Sequence, residues 1–285
     1  MDGKTAGYPA VRPDTWQAAL DPRCRRYVVT GYKKVQGWLI RLAALQIARL
    51  GQIQLALGVA GAACEIGVHH GRTLILLHLL TRPGEATVAI DLYELLHAEN
   101  GRARKAQLLR NVRSHGGEVD RIRVVSEDSV KLTPQRILEL CAGRPRLFSI
   151  DGGRTAEITC HDLALAHATV CDGGVVMVHD YFQEGWPEVS EGVCRFMGRQ
   201  PVAIGARRFT RVREEDLVAA DCNRVKPGLA QVFAVLVRRS IMFGEPVLVL
   251  MPLTLKRQVA RTRVWQAVRD WPVGRMLRNI GNSVR

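Results

Sequence analysis

The run Ala63-Cys-Glu-Ile-Gly-Val-His-His-Gly71 constrains this chain more than any other. Apolar stretches flank it, Leu57 to Cys64 before and Leu74 to Leu80 after, which predicts a strand, a glycine turn and a helix. That is the first unit of an open α/β sheet. Gly67 would let the backbone turn tightly beside a ligand, and Gly71 would let the next helix pack against the strand. The N–H groups at that helix start would then face an electronegative ligand. Asp91 closes the next apolar run, Ala86 to Leu92, about where a nucleotide-binding fold places its ribose carboxylate.

The same unit repeats. Strands are expected at Thr87–Ile90, Ile122–Val125, Arg146–Ile150 and Gly174–Val178, with helices at Gly101–Ser114, Thr133–Cys141 and Ala156–Cys171 between them. Such alternation implies a parallel sheet with right-handed crossovers, whose ligands bind at the carboxyl ends of the strands. Those ends carry one acidic residue each: Glu65, Asp91, Asp128, Asp151 and Asp180. After the fifth strand, Pro187 starts a helix over Val189–Met197. Pro201–Gly205 and Gln231–Val237 then read as the final strands. Ahead of the sheet, Val35, Trp38, Leu39, Leu42 and Leu45 recur at helical steps from Gly31 onward, a helix expected over one sheet edge or the cofactor mouth.

Composition narrows the class. The 285 residues are 47% hydrophobic and 24% charged, ordinary values for a globular chain. Seven cysteines stand apart with no C-x-x-C pair, which points to reduced thiols in a cytoplasmic protein rather than disulfides or structural zinc. No secretory leader is expected from the mixed first twenty residues, and charged and amide residues interrupt the apolar stretch at 35–60, against a membrane span. Of the net charge of +14, residues 1–60 and 241–285 carry +6 each and residues 181–240 carry +3, leaving 61–180 close to neutral at −1. Solvated basic faces explain such a surplus more simply than nucleic acid does. The absence of Gly-Lys-Ser/Thr excludes a triphosphate-binding loop, and Glu65 stands where the dehydrogenase fingerprint requires glycine.

Glu65-Ile-Gly-Val-His-His-Gly71, Ile90-Asp-Leu92, Glu127-Asp-Ser129, Phe148-Ser-Ile-Asp-Gly-Gly153 and Gly173-Gly-Val-Val-Met-Val-His-Asp-Tyr181 together resemble the class I S-adenosylmethionine-dependent methyltransferases. In particular they resemble the methyltransferase-24-like family, over roughly residues 60–240. The resemblance implies a Rossmann-like seven-stranded sheet, mostly parallel, closed by an antiparallel hairpin, with helical N- and C-terminal appendages. The expected divisions are a leader and helix over 1–60, the cofactor-binding domain over 61–240 and a basic appendage over 241–285. The appendage would hold a short strand at Val247–Met251 and a helix from Leu255 to Trp271, packed on the body or a twin subunit.

By the same resemblance Glu65, Gly67 and Gly71 would line the methionine end of S-adenosylmethionine. Asp91 would take the ribose hydroxyls, and Asp128 with Ser129 the adenine edge, although a polar turn capping the next helix also explains the latter pair. His69 and His70 would contact the cofactor or support those that do. In metal-dependent relatives, carboxylates at the positions of Asp151 and Asp180 hold magnesium, which orients and acidifies the acceptor hydroxyl. His179 and Arg154 both depart from that pattern. His179 stands where relatives often have an acid, and Arg154 where many have histidine, so His179 becomes the expected base, with Asp151 and Asp180 beside it. The expected reaction is O-methylation of a small molecule such as a sugar or secondary metabolite. Two alternatives remain open: RNA methylation, which the Asp151-Gly-Gly-Arg154 sequence disfavours, and a non-catalytic cofactor-binding partner subunit.

Overall fold

The computed structural model describes residues 20–95, 97–181 and 183–199, together with the backbone of strands 208–213, 216–220, 235–242 and 245–252. Five parallel strands form its centre: β1 Ala63–Ile66, β2 Thr87–Asp91, β3 Ile122–Ser126, β4 Leu147–Ile150 and β5 Val175–Val178. Their order is β3-β2-β1-β4-β5, and all four pairings are parallel. The order reverses between β1 and β4, which opens a crevice at their carboxyl ends.

Beyond β5 the sheet continues through β6 Arg208–Arg213, β7 Asp216–Ala220, β8 Val235–Met242 and β9 Glu245–Pro252, giving nine strands among the described residues where seven were expected. The strands not expected are β6 and β7, an antiparallel pair in the charged stretch 208–220, whereas the run at Val247–Met251, expected as a short strand, pairs antiparallel with β8 along its whole length. The strand expected at 201–205, residues 231–234 of the next one, and the helix over 255–271 lie outside the described residues.

Among the described residues seven α-helices flank the sheet: α1 Pro22–Val29, α2 Arg41–Ala56, α3 Arg72–Leu79, α4 Ala98–Ser114, α5 Pro134–Cys141, α6 Ala156–Thr169 and α7 Pro187–Arg199. Local chemistry starts them. Asp21, Thr133 and Thr155 each accept a backbone N–H in the first turn of α1, α5 and α6, and Pro22 and Pro134 preset the helical φ. Gly58, at φ 70°, closes α2, so only the last part of the apolar run from Leu57 is strand.

Period-two alternation sorts the strand side chains between two layers. Ala63, Leu147, Val175 and Met177 face α1 to α4, while Cys64, Phe148, Val176 and Val178 face α5 to α7. Helix α3, buried on every side from Thr73 to Leu79, sits wholly inside the first layer.

The helix expected from Gly31 begins only at Arg41. Residues 31–34 make a single 3₁₀ turn, and 35–40 cross the crevice in irregular conformation. Gly37 takes φ 141°, closed to other residues, and the Arg72 Nε–H donates to the Val35 carbonyl at 2.6 Å. That bond fixes the segment and leaves Trp38 80% exposed at the rim, outside the helix that its spacing predicts.

Candidate functional site

The glycine turn is held from three sides. A Cβ on Gly67 (φ 83°) would lie 2.1 Å from the Asp151 carbonyl oxygen, so this glycine is required by the closeness of the β1 and β4 ends. Gly71 (φ 85°) caps α3, and its missing Cβ makes room for Leu108 of α4 rather than for the strand. The third constraint comes from Asp91. Its Oδ2 accepts the amides of Val68 and His69, both at 2.8 Å, and Oδ1 accepts the Tyr93 amide at 3.4 Å. One carboxylate oxygen is therefore committed to the turn, and the other keeps acceptor capacity toward the crevice.

Two cavities open there. The first, of about 330 Å³, is lined by Gly67, His69, Asp91, Glu127, Asp128, Ser129, Asp151, Gly152 and Gly153, with Trp38, Arg104 and Arg154 at its edges. The second, of about 360 Å³, is lined by Trp38, Leu39, Ile40, Arg72, His179, Asp180, Gln183 and Trp186. Trp38, Asp151 and Arg154 belong to both, so the cavities meet at that trio. Each has the size of a small-molecule site.

Of the six residues expected around the cofactor, Gly67, Asp91, Asp128 and Ser129 line the first cavity. Glu65 and Gly71 are not among its lining residues. Asp128 also caps the short turn after it, its Oδ1 accepting the Val130 amide at 3.3 Å, so the capping and lining readings both hold. His69 turns its ring to Trp38 and to His70, with centroids 5.8 and 4.1 Å away, which makes it a cavity wall. His70 instead faces a separate surface hollow with Lys34 and Arg104. Burial, with His69 and Arg104 nearby, pushes its pKa down.

Glu65 lies beneath the crevice, 1% exposed, on the sheet face toward α3. It pairs in register with Ser149, whose hydroxyl donates to its Oε1 at 3.1 Å, and its Oε2 has no hydrogen-bond partner. Burial, reinforced by the charge of Asp151, holds the Glu65 carboxyl well above the usual range; the Ser149 hydroxyl opposes this only in part. His179, 8% exposed, brings Nε2 to 3.2 Å from the same Ser149 Oγ. Glu65, Ser149 and His179 thus form a buried polar row across β1, β4 and the end of β5. Ser149 was not singled out in the sequence. The available signal is one hydroxyl in the apolar strand Leu147-Phe-Ser-Ile150, two residues before Asp151.

Asp151 and Asp180 do come together, but around an arginine. The Arg154 Nη2 donates to Asp151 Oδ1 and lies against Asp180 Oδ2, both at 2.8 Å, and Nη1 reaches the Gly152 carbonyl at 3.3 Å. Asp180 adopts φ 61°, a left-handed conformation that aspartate tolerates better than most residues. Among the described residues no group of three His, Cys, Asp or Glu side chains could hold a metal ion. The donor set expected for magnesium is closed by a guanidinium and does not fit the ion. The first cavity's lining holds four carboxylates, Asp91, Glu127, Asp128 and Asp151, and two arginines, Arg104 and Arg154; Asp151 pairs with Arg154 and Glu127 with Arg136.

Phe182 lies outside the described residues. Tyr181 is buried in the second core layer, and Trp186 lines the second cavity. Among the described residues, no helix is long and apolar enough to cross a membrane.

Comparison with known proteins agrees with this architecture. The sequence model of a family described as a methyltransferase domain matches residues 64–181. The solved O-methyltransferase NovP is similar with a TM-score of 0.53 and 15% identity, over 73% of this chain and 99% of its own. The O-methyltransferase TomG from Streptomyces achromogenes, solved in complex with SAM, is similar with a TM-score of 0.50 and 14% identity, over 73% and 95%. At these identities the likeness concerns the fold. No curated protein matches the sequence. The methyltransferase-domain match runs from Cys64 in β1 to Tyr181 just past β5, and so takes in the glycine turn that Asp91 closes.

Proposed function

We propose that the chain is an S-adenosylmethionine-dependent methyltransferase that methylates a hydroxyl of a small molecule. The observation that carries this is the pair of cavities meeting at Asp151, Arg154 and Trp38. The acidic one suits the donor and the one walled by Trp38 and Trp186 suits the acceptor. NovP and TomG, both O-methyltransferases by name, support the choice of oxygen.

When bound, S-adenosylmethionine supplies an electrophilic methyl carbon, whose bond to sulfur breaks with its electron pair staying on sulfur as the acceptor oxygen attacks. The chain's own residues position and deprotonate. Asp91 Oδ1 takes the ribose hydroxyls, while Asp128 and Ser129 hold the adenine edge. Gly67 and His69 would bound the methionine end, with Glu65 buried beneath the turn and held by Ser149. Holding both reactants at attack distance contributes most of the rate.

His179 is the base. Its Nε2 lies 3.2 Å from the Ser149 hydroxyl, which donates to Glu65, and this contact holds the imidazole at the wall of the second cavity. The acceptor hydroxyl's proton passes to the His179 imidazole as the new C–O bond forms, which balances the step.

The test pairs calorimetry with S-adenosylmethionine and a labelled-methyl screen of small hydroxyl compounds on the full chain. Binding together with label transfer to oxygen is expected. A folded protein that does not bind the donor overturns the reading, and transfer only to RNA would move it to the nucleic-acid alternative.

A further inference from the structure

We propose that Arg154 replaces a divalent cation in this chain, so that the acceptor site operates without metal and the guanidinium is the fixed charge between the two carboxylates. This builds on the function proposed above, but its evidence is independent of it. One nitrogen, Nη2, lies 2.8 Å from Asp151 Oδ1 and 2.8 Å from Asp180 Oδ2, between the two carboxylates expected to hold the metal. Its two hydrogens match two acceptors, so the guanidinium serves both carboxylates through one atom.

The rest of the arginine is also held. Nη1 donates to the Gly152 carbonyl at 3.3 Å, and the guanidinium carbon stands 5.7 Å from the centre of the Trp186 ring. These contacts come from β4, from the end of β5 and from the segment before α7, three separate walls of the acceptor cavity. A guanidinium stays protonated throughout the pH range of folded proteins. Magnesium would have to expel it, break both charge-assisted bonds and find octahedral oxygen ligands. Among the described residues no third acidic, histidine or cysteine side chain completes such a set.

Position also matters. Arg154 lines both cavities, at the seam where the methyl group would pass. A rigid cation there fixes the spacing of donor and acceptor sites through Asp151 and Asp180, the positioning role that a metal would otherwise take.

Manganese alone, titrated into the full-length protein and followed by electron paramagnetic resonance, tests the proposal. The parent should show no Mn²⁺ site that depends on Asp151. Arg154→Ala frees the two carboxylates and should bind Mn²⁺ about tenfold or more tightly than the parent, a gain of about 1.4 kcal/mol. The gain should vanish in Arg154→Ala/Asp151→Asn. A parent that binds one Mn²⁺ and loses it in Asp151→Asn overturns the proposal, whether or not the arginine variants fold. A folded Arg154→Ala that gains no Mn²⁺ affinity removes Arg154 as the excluding group. Donor binding measured alongside keeps the two readings apart, because loss of donor binding would strike the cofactor assignment and leave the Mn²⁺ results standing.

Discussion

Asp91 combines two tasks that are usually separate. Its Oδ2 ties down the glycine turn through Val68 and His69, and Oδ1 remains for a ligand. Asp91→Ala should therefore weaken S-adenosylmethionine binding by about 1.5–3 kcal/mol, the scale of a hydrogen bond to a charged group. Calorimetry on a variant with native circular dichroism checks it, and unchanged affinity would remove the ribose role. Glu65 poses the opposite problem, a carboxyl buried where its charge is disfavoured. Its folded pKa is raised above the unfolded value, so its stabilising contribution is complete below the unfolded pKa and is lost as pH rises through the folded one. Each unit of such a shift is worth about 1.4 kcal/mol. Glu65→Gln keeps an acceptor for Ser149 without the charge, so its stability relative to the parent should increase between pH 5 and pH 8 in urea unfolding. A constant difference across that range would show that Glu65 does not titrate there.

Helix α3 shows how a buried element acquires a pH limit. Its last turn carries His78, whose Nδ1 lies 2.8 Å from Thr87 Oγ1 on β2 and whose Nε2 accepts the Glu118 amide at 3.0 Å. The amide can only be accepted by a neutral ring with its hydrogen on Nδ1. Burial, with Arg121 nearby, lowers the pKa to about 4. The unfolded chain, near 6.5, then binds the proton first as pH falls, so stability is lost below pH 6.5 until the folded pKa is reached. From pH 7 to pH 5 this one group should cost about 2 kcal/mol. Urea unfolding of the parent and His78→Gln at both values measures it, since the variant lacks that component. An identical pH dependence in the two proteins would refute the assignment.

At the scale of the molecule, the end of the sheet opposite the cavities is closed by a buried ion-paired network. Arg146, 0% exposed at the start of β4, pairs with Glu85 at 3.1 Å, donates to Gln54 Oε1 on α2 at 2.9 Å and to the Leu80 carbonyl after α3. Gln54 in turn donates to the carbonyls of Arg146 and Gly173. Burial would raise the Glu85 pKa, but the Arg82 amide and the Arg146 guanidinium outweigh it and hold the carboxyl below its usual value. Removing one partner strands the rest in a dry interior. Arg146→Ala should cost about 3–5 kcal/mol, read from denaturant midpoints. Donor affinity per folded molecule should stay unchanged, because the network lies at the far end of the strands from the crevice. A loss below 1 kcal/mol (about the value of an exposed pair) would mean that water reaches it.

Period and punctuation in the sequence were enough to locate the five central strands, because apolar runs and glycine turns act over a few residues and depend little on distant partners. The acidic strand ends were legible for the same reason, as each sits one or two residues past an apolar run. Contacts between distant segments were not legible. Helical spacing drew Trp38 into a helix, whereas the Arg72 to Val35 bond and the φ of Gly37 hold it at the cavity rim. Glu65 read as a cleft residue, but strand pleat turns it inward to Ser149. Asp151 and Asp180 suggested a metal, since two carboxylates at strand ends look alike with or without one. What occupies the space between them depends on where the loop after β4 directs a side chain, and only the folded chain brings Arg154 to that point.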